Sequence, residues 1–270
     1  MVVTDKMFAG SIPEIYDRFL VPLIFDSYAR DLADRLAKIQ PQDLLETAAG
    51  TGALSRAIAS RLPAQVRMVA TDLNQPMLDR AAARDPLTGR ISWLEADALA
   101  LPFADESFDV VACQFGVMFF PNRVQGYKEA RRVLKPGGSF LFNVWNRISE
   151  NAFADVVSQA LAGLFPHDPP SFLARIPHGY HDVEVIRSEL RQAGFQWATI
   201  ESVDHTSRAA TPRDVAVAYC QGTPLRNEID ARDATRLEEA TLIATEAVAR
   251  RFGIGPVEGP IKAHVVTAVR

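Results

Sequence analysis

The chain is short of cysteine, of clustered charge and of long apolar runs, and each shortage removes a class of protein. Cys113 and Cys220 are its only two cysteines among 270 residues, with no CxxC and no histidine at zinc-ligand spacing. Neither a disulfide framework nor a structural metal site is expected, and a reducing, cytoplasmic location is. Lysine and arginine number 29 against 33 acids, with no basic block of five or more, so a nucleic-acid partner held through its phosphates is not expected. The longest apolar stretch, Phe108 to Pro121, is broken by Asp109 and Gln114, and Met1 to Met7 lacks a basic head followed by an apolar core. Membrane spanning and secretion are therefore not expected. What remains is a 48% apolar, 23% charged chain of globular composition, long enough to bury roughly 73% of its unfolded surface.

The order of patterns predicts an α/β fold. Ser11-Ile12-Pro13-Glu14 reads as a capping box with proline at the first helical position, and Tyr28, Leu32, Leu36 and Ile39 form the stripe of a second helix. From Asp43 short apolar runs alternate with helices, as in a parallel sheet, with strands near 43–47, 67–72, 90–95, 108–115 and 138–146. Pro136-Gly137-Gly138 predicts a sharp turn before the fifth strand. Beyond Trp145 the alternation stops. An insertion is expected over 147–181, a helical piece followed by an irregular stretch from Pro166 to His181, then a helix opened by Asp182 and closed by Gly194, and a strand near 197–206. Thr211-Pro212-Arg213-Asp214 caps another helix, a long helix runs to Gly253, and a last strand alternates over 261–269. The predicted architecture is a Rossmann-like, seven-stranded, mostly parallel sheet with helices on both faces and its last strand antiparallel. An N-terminal helical lid (1–40) precedes a main domain (41–270) with insertions at 147–181 and 209–258.

Chemistry concentrates at the strand ends. Glu46-Thr47-Ala48-Ala49-Gly50-Thr51-Gly52 joins a strand to a helix, and glycines there let backbone approach a ligand. The next strand ends in Asp72, at the place and distance of a carboxylate that accepts both ribose hydroxyls of an adenosine. A third ends in Glu95-Ala96-Asp97-Ala98, where Asp97 can accept from the adenine amine. Each element has a plainer reading: the glycines as a simple turn, Asp72 as a helix cap, Asp97 as a turn residue.

Taken with Phe108-Asp109-Val110-Val111 and Arg132-Val133-Leu134-Lys135-Pro136-Gly137-Gly138, these motifs resemble the class I S-adenosylmethionine-dependent methyltransferases. The small-molecule branch that includes the quinone-biosynthesis C-methyltransferases is the most similar. The resemblance spans residues 43–146 and implies S-adenosylmethionine as cofactor and in-line methyl transfer to a small organic molecule. It implies that Glu46 orients the methionine amino group, that Ala48, Gly50 and Gly52 form the loop, and that Asp72 binds the ribose. Met77 then packs on the adenine face, Asp97 and Ala98 meet the adenine edge, and Gln114 contacts the methionine part. Ala48 departs from the usual glycine, and alanine there implies a negative φ.

Tyr16 in the first helix, Asn143, Trp145 and Asn146 at the fifth strand's end, and His178 and His181 in the insertion are the substrate-side candidates. A solvated surface loop is the expected setting of the two histidines. No side chain is singled out as catalytic and no metal ligand is expected, since a well-positioned displacement needs proximity above all. Two other functions share part of the pattern. An NAD-dependent oxidoreductase would use Gly50, Gly52 and Asp72, although Ser55 stands at its third glycine, and a non-catalytic cofactor-binding partner subunit would need every binding residue and no chemistry.

Overall fold

The computed structural model describes residues 10–85 and 89–270, so Met1 to Met7 lies outside the described residues. Seven strands, β1 (Asp43–Glu46), β2 (Arg67–Asp72), β3 (Ile91–Glu95), β4 (Phe108–Gln114), β5 (Leu134–Trp145), β6 (Trp197–Ala209) and β7 (Val257–Val269), form one sheet in the order β3-β2-β1-β4-β5-β7-β6. The first five run parallel. The backbone of Arg270 bonds to Gly137 and Gly138, while Asn146 N–H donates to Lys262. Rising residue numbers on β5 thus meet falling ones on β7, which makes that pair antiparallel. The sheet has the expected architecture, and its strand order reverses between β1 and β4, where ligands bind in open α/β sheets.

The helices are α1 (Ile12–Ile15), α2 (Asp26–Ile39), α3 (Ala53–Ala59), α4 (Gln75–Ala83), α5 (Arg123–Val133), α6 (Ala152–Leu164), α7 (Phe172–Arg175), α8 (Val183–Gln192), α9 (Pro212–Gln221), α10 (Leu225–Asp233) and α11 (Leu237–Phe252). Among the described residues no helix is long and apolar enough to cross a membrane. The chain divides into two compact units. One comprises Ser27–Val144, Tyr180–Val203 and Ala263–Arg270, and the other Met1–Asp26, Trp145–Gly179 and Asp204–Lys262.

In the first unit the apolar stripe of α2 does what its spacing dictates: Tyr28, Leu32 and Leu36 are fully buried. Leu32 and Leu36 join a core with Leu44 of β1, Ile58 of α3 and Val110 of β4. Val110 and Val111 are both at 0% exposure, as a central strand covered on two faces requires. Asp182 caps α8 through Glu184 and Val185 N–H, and Gly194 follows it at φ +94°, both as expected.

The Pro136-Gly137-Gly138 turn is corrected. β5 begins at Leu134, directly after α5, and its register against β4 jumps from Phe108↔Leu134 to Val110↔Ser139. Residues 135–138 are thus a bulge inside the strand, pinned by Arg270 on one side and on the other by Lys135 Nζ, which donates to Asp43 (2.7 Å) and Asp109 (2.8 Å).

In the second unit the helical piece expected at the start of the 147–181 insertion is α6, and the stretch expected to be irregular from Pro166 to His181 contains only the single-turn helix α7. α6 buries Phe153 against Phe252 of α11, ring centroids 4.9 Å apart. Thr211 and Asp214 form the expected capping box on α9, and α11 ends at Gly253 with φ +102°. Ser11 does not form one. Its backbone is already helical and its hydroxyl accepts from Arg226 instead (2.7 Å). Between α1 and α2, Tyr16–Phe25 is a π-helical stretch, wider in turn than an α-helix, rather than a break between two helices; Pro22 inside it has no N–H to sustain regular i→i+4 bonding. Its start packs closely on the end of α9: a β-carbon on Gly222 would lie 3.3 Å from the backbone N of Tyr16.

Candidate functional site

β1 delivers Glu46 at its carboxyl end and the chain turns through Thr47–Gly52 into α3. The loop is tied to both neighbours: Thr47 N–H donates to Ala112 O (2.9 Å) and Ala49 N–H to Thr71 O (2.9 Å). Ala48, Gly50 and Gly52 all have positive φ (+53°, +57° and +76°). The negative φ expected at Ala48 is therefore wrong. Packing around the loop holds an alanine where a left-handed backbone disfavours L residues by about 1–2 kcal/mol. Gly52 serves the protein as well as any ligand, because a β-carbon there would meet the Trp93 ring at 2.6 Å.

Two buried carboxyls face this loop. Glu46 is 2% exposed and accepts from the Ser55 hydroxyl. Burial pushes its pKa up to about 8, against the lowering effect of Ser55 and the Arg56 charge and with a further push from Asp72. Asp72 is 7% exposed. One of its oxygens accepts from Gly50 N–H (2.8 Å) and the other from Asn74 N–H (2.8 Å). Burial raises its pKa too, and those two backbone donors oppose the rise. The oxygen that meets Asn74 N–H also accepts from the Asn74 side-chain amide (3.2 Å), so the remaining acceptor capacity of Asp72 for a hydroxyl lies on the oxygen bonded to Gly50 N–H. Ser55, at the third glycine position of a dinucleotide fingerprint, is committed to Glu46, a bond that glycine could not make.

Ala96 N–H donates to Asp72 O (3.0 Å), which brings the end of β3 beside the end of β2. Asp97 is exposed there, accepting Leu99 N–H (2.9 Å), and Ala98 is half-buried. Met77 is 3% exposed inside α4, whereas Leu73, directly after Asp72, is 48% exposed. Leu73 is an exposed apolar side chain at this strand end that the sequence reading did not single out. Its signal was present, as a large apolar residue following the acid at a strand end.

At the end of β4, Gln114 is the register partner of Asn143 on β5. Asn143 is fully buried, and its Oδ1 accepts Phe115 N–H (3.0 Å). Phe115 has φ +51°, with its ring edge-on to Tyr28 at 5.3 Å. Asn143 thus shapes this turn.

In the other unit the structure gathers four of the substrate-side candidates. Tyr16 stacks on Phe25 (5.3 Å), Phe25 lies 6.0 Å from Trp145, and Trp145 lies 6.0 Å from His178. His178 Nδ1 is 2.8 Å from Asn146 O, and a carbonyl only accepts, so Nδ1 carries the proton. At 5% exposure His178 is not a solvated loop histidine, which corrects that expectation. His181 is half-buried and stands outside this row. Tyr180, between them in sequence, belongs to a separate network in which its hydroxyl meets Tyr127 (3.0 Å) and donates to Glu189 (2.6 Å). Among the described residues no group of three His, Cys, Asp or Glu is placed to hold a metal ion.

Residues 45–142 match the methyltransferase domain family. The chain is 31% identical over 176 residues to the ubiquinone/menaquinone biosynthesis C-methyltransferase of Dinoroseobacter shibae, covering 61% of this chain and 70% of that one. To the enzyme of the same name from Ectopseudomonas mendocina it is 31% identical over 214 residues, covering 74% and 78%. A crystal structure of a putative methyltransferase from Bacillus halodurans shares its fold, with a TM-score of 0.58 and 19% identity over 89% of this chain and 97% of that one.

Proposed function

This chain belongs to the S-adenosylmethionine-dependent methyltransferase family of those relatives and methylates a small organic molecule, and we propose that its acceptor is an electron-rich ring carbon of a quinol. The row Tyr16, Phe25, Trp145 and His178 is the structural observation that carries the proposal, because stacked aromatic faces suit a planar ring. The relatives' names supply the acceptor class. Both cysteines are buried and unpaired, which supports a reducing compartment such as the cytoplasm.

The residues fit the cofactor. A loop with three left-handed residues and two buried carboxyls matches a ligand that carries an amino cation and a ribose. When bound, S-adenosylmethionine supplies a methyl group on a cationic sulfur. Glu46 gives up its proton and pairs with the amino group, since a buried carboxyl near pKa 8 ionises readily once a cation is beside it. Asp72 would accept from the ribose through the oxygen that also meets Gly50 N–H, Leu73 would offer its exposed side chain to the adenine face, and Asp97 with Ala98 would meet the adenine edge. Gln114 contacts the methionine part. Met77 supports this surface from inside α4. Holding carbon and methyl in line is the main catalytic demand, so a shell that orients rather than reacts is sufficient.

The test is transfer of a labelled methyl group from S-adenosylmethionine to demethylated hydroquinones, with the product ring located by mass spectrometry. A label on ring carbon is the expected result. Transfer only to oxygen or nitrogen acceptors would leave the family standing and overturn the acceptor.

A further inference from the structure

Alanine at position 48 sits in a left-handed turn that glycine would occupy without strain, and the reason it is accommodated lies 68 residues along the chain. A β-carbon built on Gly116 would lie 2.5 Å from Ala48 Cβ and 2.7 Å from Cys113 Sγ. Gly116 itself has φ −102°, so its need for glycine is one of space and not of backbone conformation. The Ala48 methyl fills the place where a side chain at 116 would go.

Gly116 closes the turn that follows Gln114, and that turn is held as firmly as the loop. Phe115 is a second non-glycine residue at positive φ; its N–H is shared between Asn143 O (3.2 Å) and Asn143 Oδ1 (3.0 Å), and its ring is braced on Tyr28. The loop is anchored at Thr47 to Ala112 and at Ala49 to Thr71. Two anchored turns meet at one methyl group.

We infer that Gly116 is a positioning residue for the cofactor: by having no side chain it admits the Ala48 methyl and fixes the separation between the Glu46–Gly52 loop and the Gln114–Phe115 turn. This rests on the proposed cofactor site. Glu46 and Gln114, which serve the methionine end, stand on opposite sides of the contact. A side chain at 116 would push them apart, because the loop is anchored on either side of Ala48, at Thr47 and Ala49, and the Ala48 methyl cannot yield without moving it.

The experiment is a mutant cycle in a Cys113→Ala background, which removes the neighbouring sulfur and leaves Ala48 as the one close obstacle. Titration calorimetry with S-adenosylhomocysteine and thermal unfolding are measured for Cys113→Ala and for that variant with Gly116→Ala, with Ala48→Gly, and with both. Gly116→Ala should weaken binding about tenfold or more, at the lower end of what overpacking a dense site does. Adding Ala48→Gly should return affinity to within about threefold of the Ala48→Gly control. If the Gly116→Ala chain does not fold, the chain carrying both changes must fold and bind. Loss of thermal stability with unchanged affinity would make the contact packing only, and failure of Ala48→Gly to restore binding would exclude transmission through position 48; either overturns the inference. A wild-type chain that does not bind S-adenosylhomocysteine would instead sink the cofactor site itself.

Discussion

Glu46 offers the sharpest test of the site's electrostatics. Its carboxyl is fully buried, burial raises its pKa from 4.5 to about 8, and the groups facing it are the Ser55 hydroxyl, the Arg56 guanidinium and the Asp72 carboxyl. Between those two values the unfolded chain has lost the proton that the folded chain retains. The folded state binds more protons there, so stability falls as pH rises from 4.5 towards 8 and levels off above it. At about 1.4 kcal/mol per pH unit the span corresponds to a ceiling of ~5 kcal/mol, which relaxation around the charged form reduces. Glu46→Gln keeps an acceptor for Ser55 and removes the titration. Its unfolding free energy should therefore gain on the wild type by ~2 kcal/mol or more between acidic and mildly alkaline pH, read from urea unfolding across that range.

Binding should move the other way. A cationic amino group selects the ionised carboxylate, so below about pH 8 each pH unit should weaken wild-type affinity by up to tenfold relative to Glu46→Gln. Calorimetry in buffers of different ionisation heat should show close to one proton released at neutral pH by the wild type and not by the variant. A constant affinity ratio between the two proteins from pH 6 to 8, with equal proton release, would show that no cation reaches Glu46 and would remove it from the site.

Asp72→Asn keeps an acceptor for Gly50 N–H but loses the charge, and each ribose hydroxyl then forfeits part of a charge-assisted bond worth about 1.5–3 kcal/mol. Affinity for S-adenosylhomocysteine should drop at least tenfold by calorimetry, and an unchanged value would move the ribose elsewhere. Trp145 fluorescence should be quenched by a short-chain hydroquinone in the wild type and hardly at all in His178→Ala; equal quenching would detach the row from the acceptor. Thr211→Ala should lower stability by about 1 kcal/mol in chemical denaturation through loss of the capping box on α9. We propose the N-terminal segment up to about residue 40 as a lid. Hydrogen exchange over 12–25 should slow when S-adenosylhomocysteine is added, and unchanged exchange would make it scaffold of its own unit.

The strand-loop-helix unit at Glu46–Gly52, the acid at the end of β2 and the existence of all seven strands follow from local chemistry. Short apolar runs bounded by turns read as strands of a covered sheet, acids at their ends mark where a strand gives way to a loop, and glycine permits backbone that other residues resist. The capping box at Thr211 formed for the same reason, since every group it needs lies within four residues. Its twin at Ser11 did not, because Arg226, distant in sequence, competes for the hydroxyl. The Pro136–Gly138 bulge depends on Arg270, Asp43 and Asp109. That Met77 is buried and Leu73 exposed depends on how α4 lies across the sheet. His178 left the solvent because Trp145 and the carbonyl of Asn146 form its surroundings. Ala48 took a left-handed turn for the same kind of reason: a backbone angle is a local property, but the energy that holds it there comes from Gly116 and from strands β2 and β4, which the chain brings alongside only when it folds.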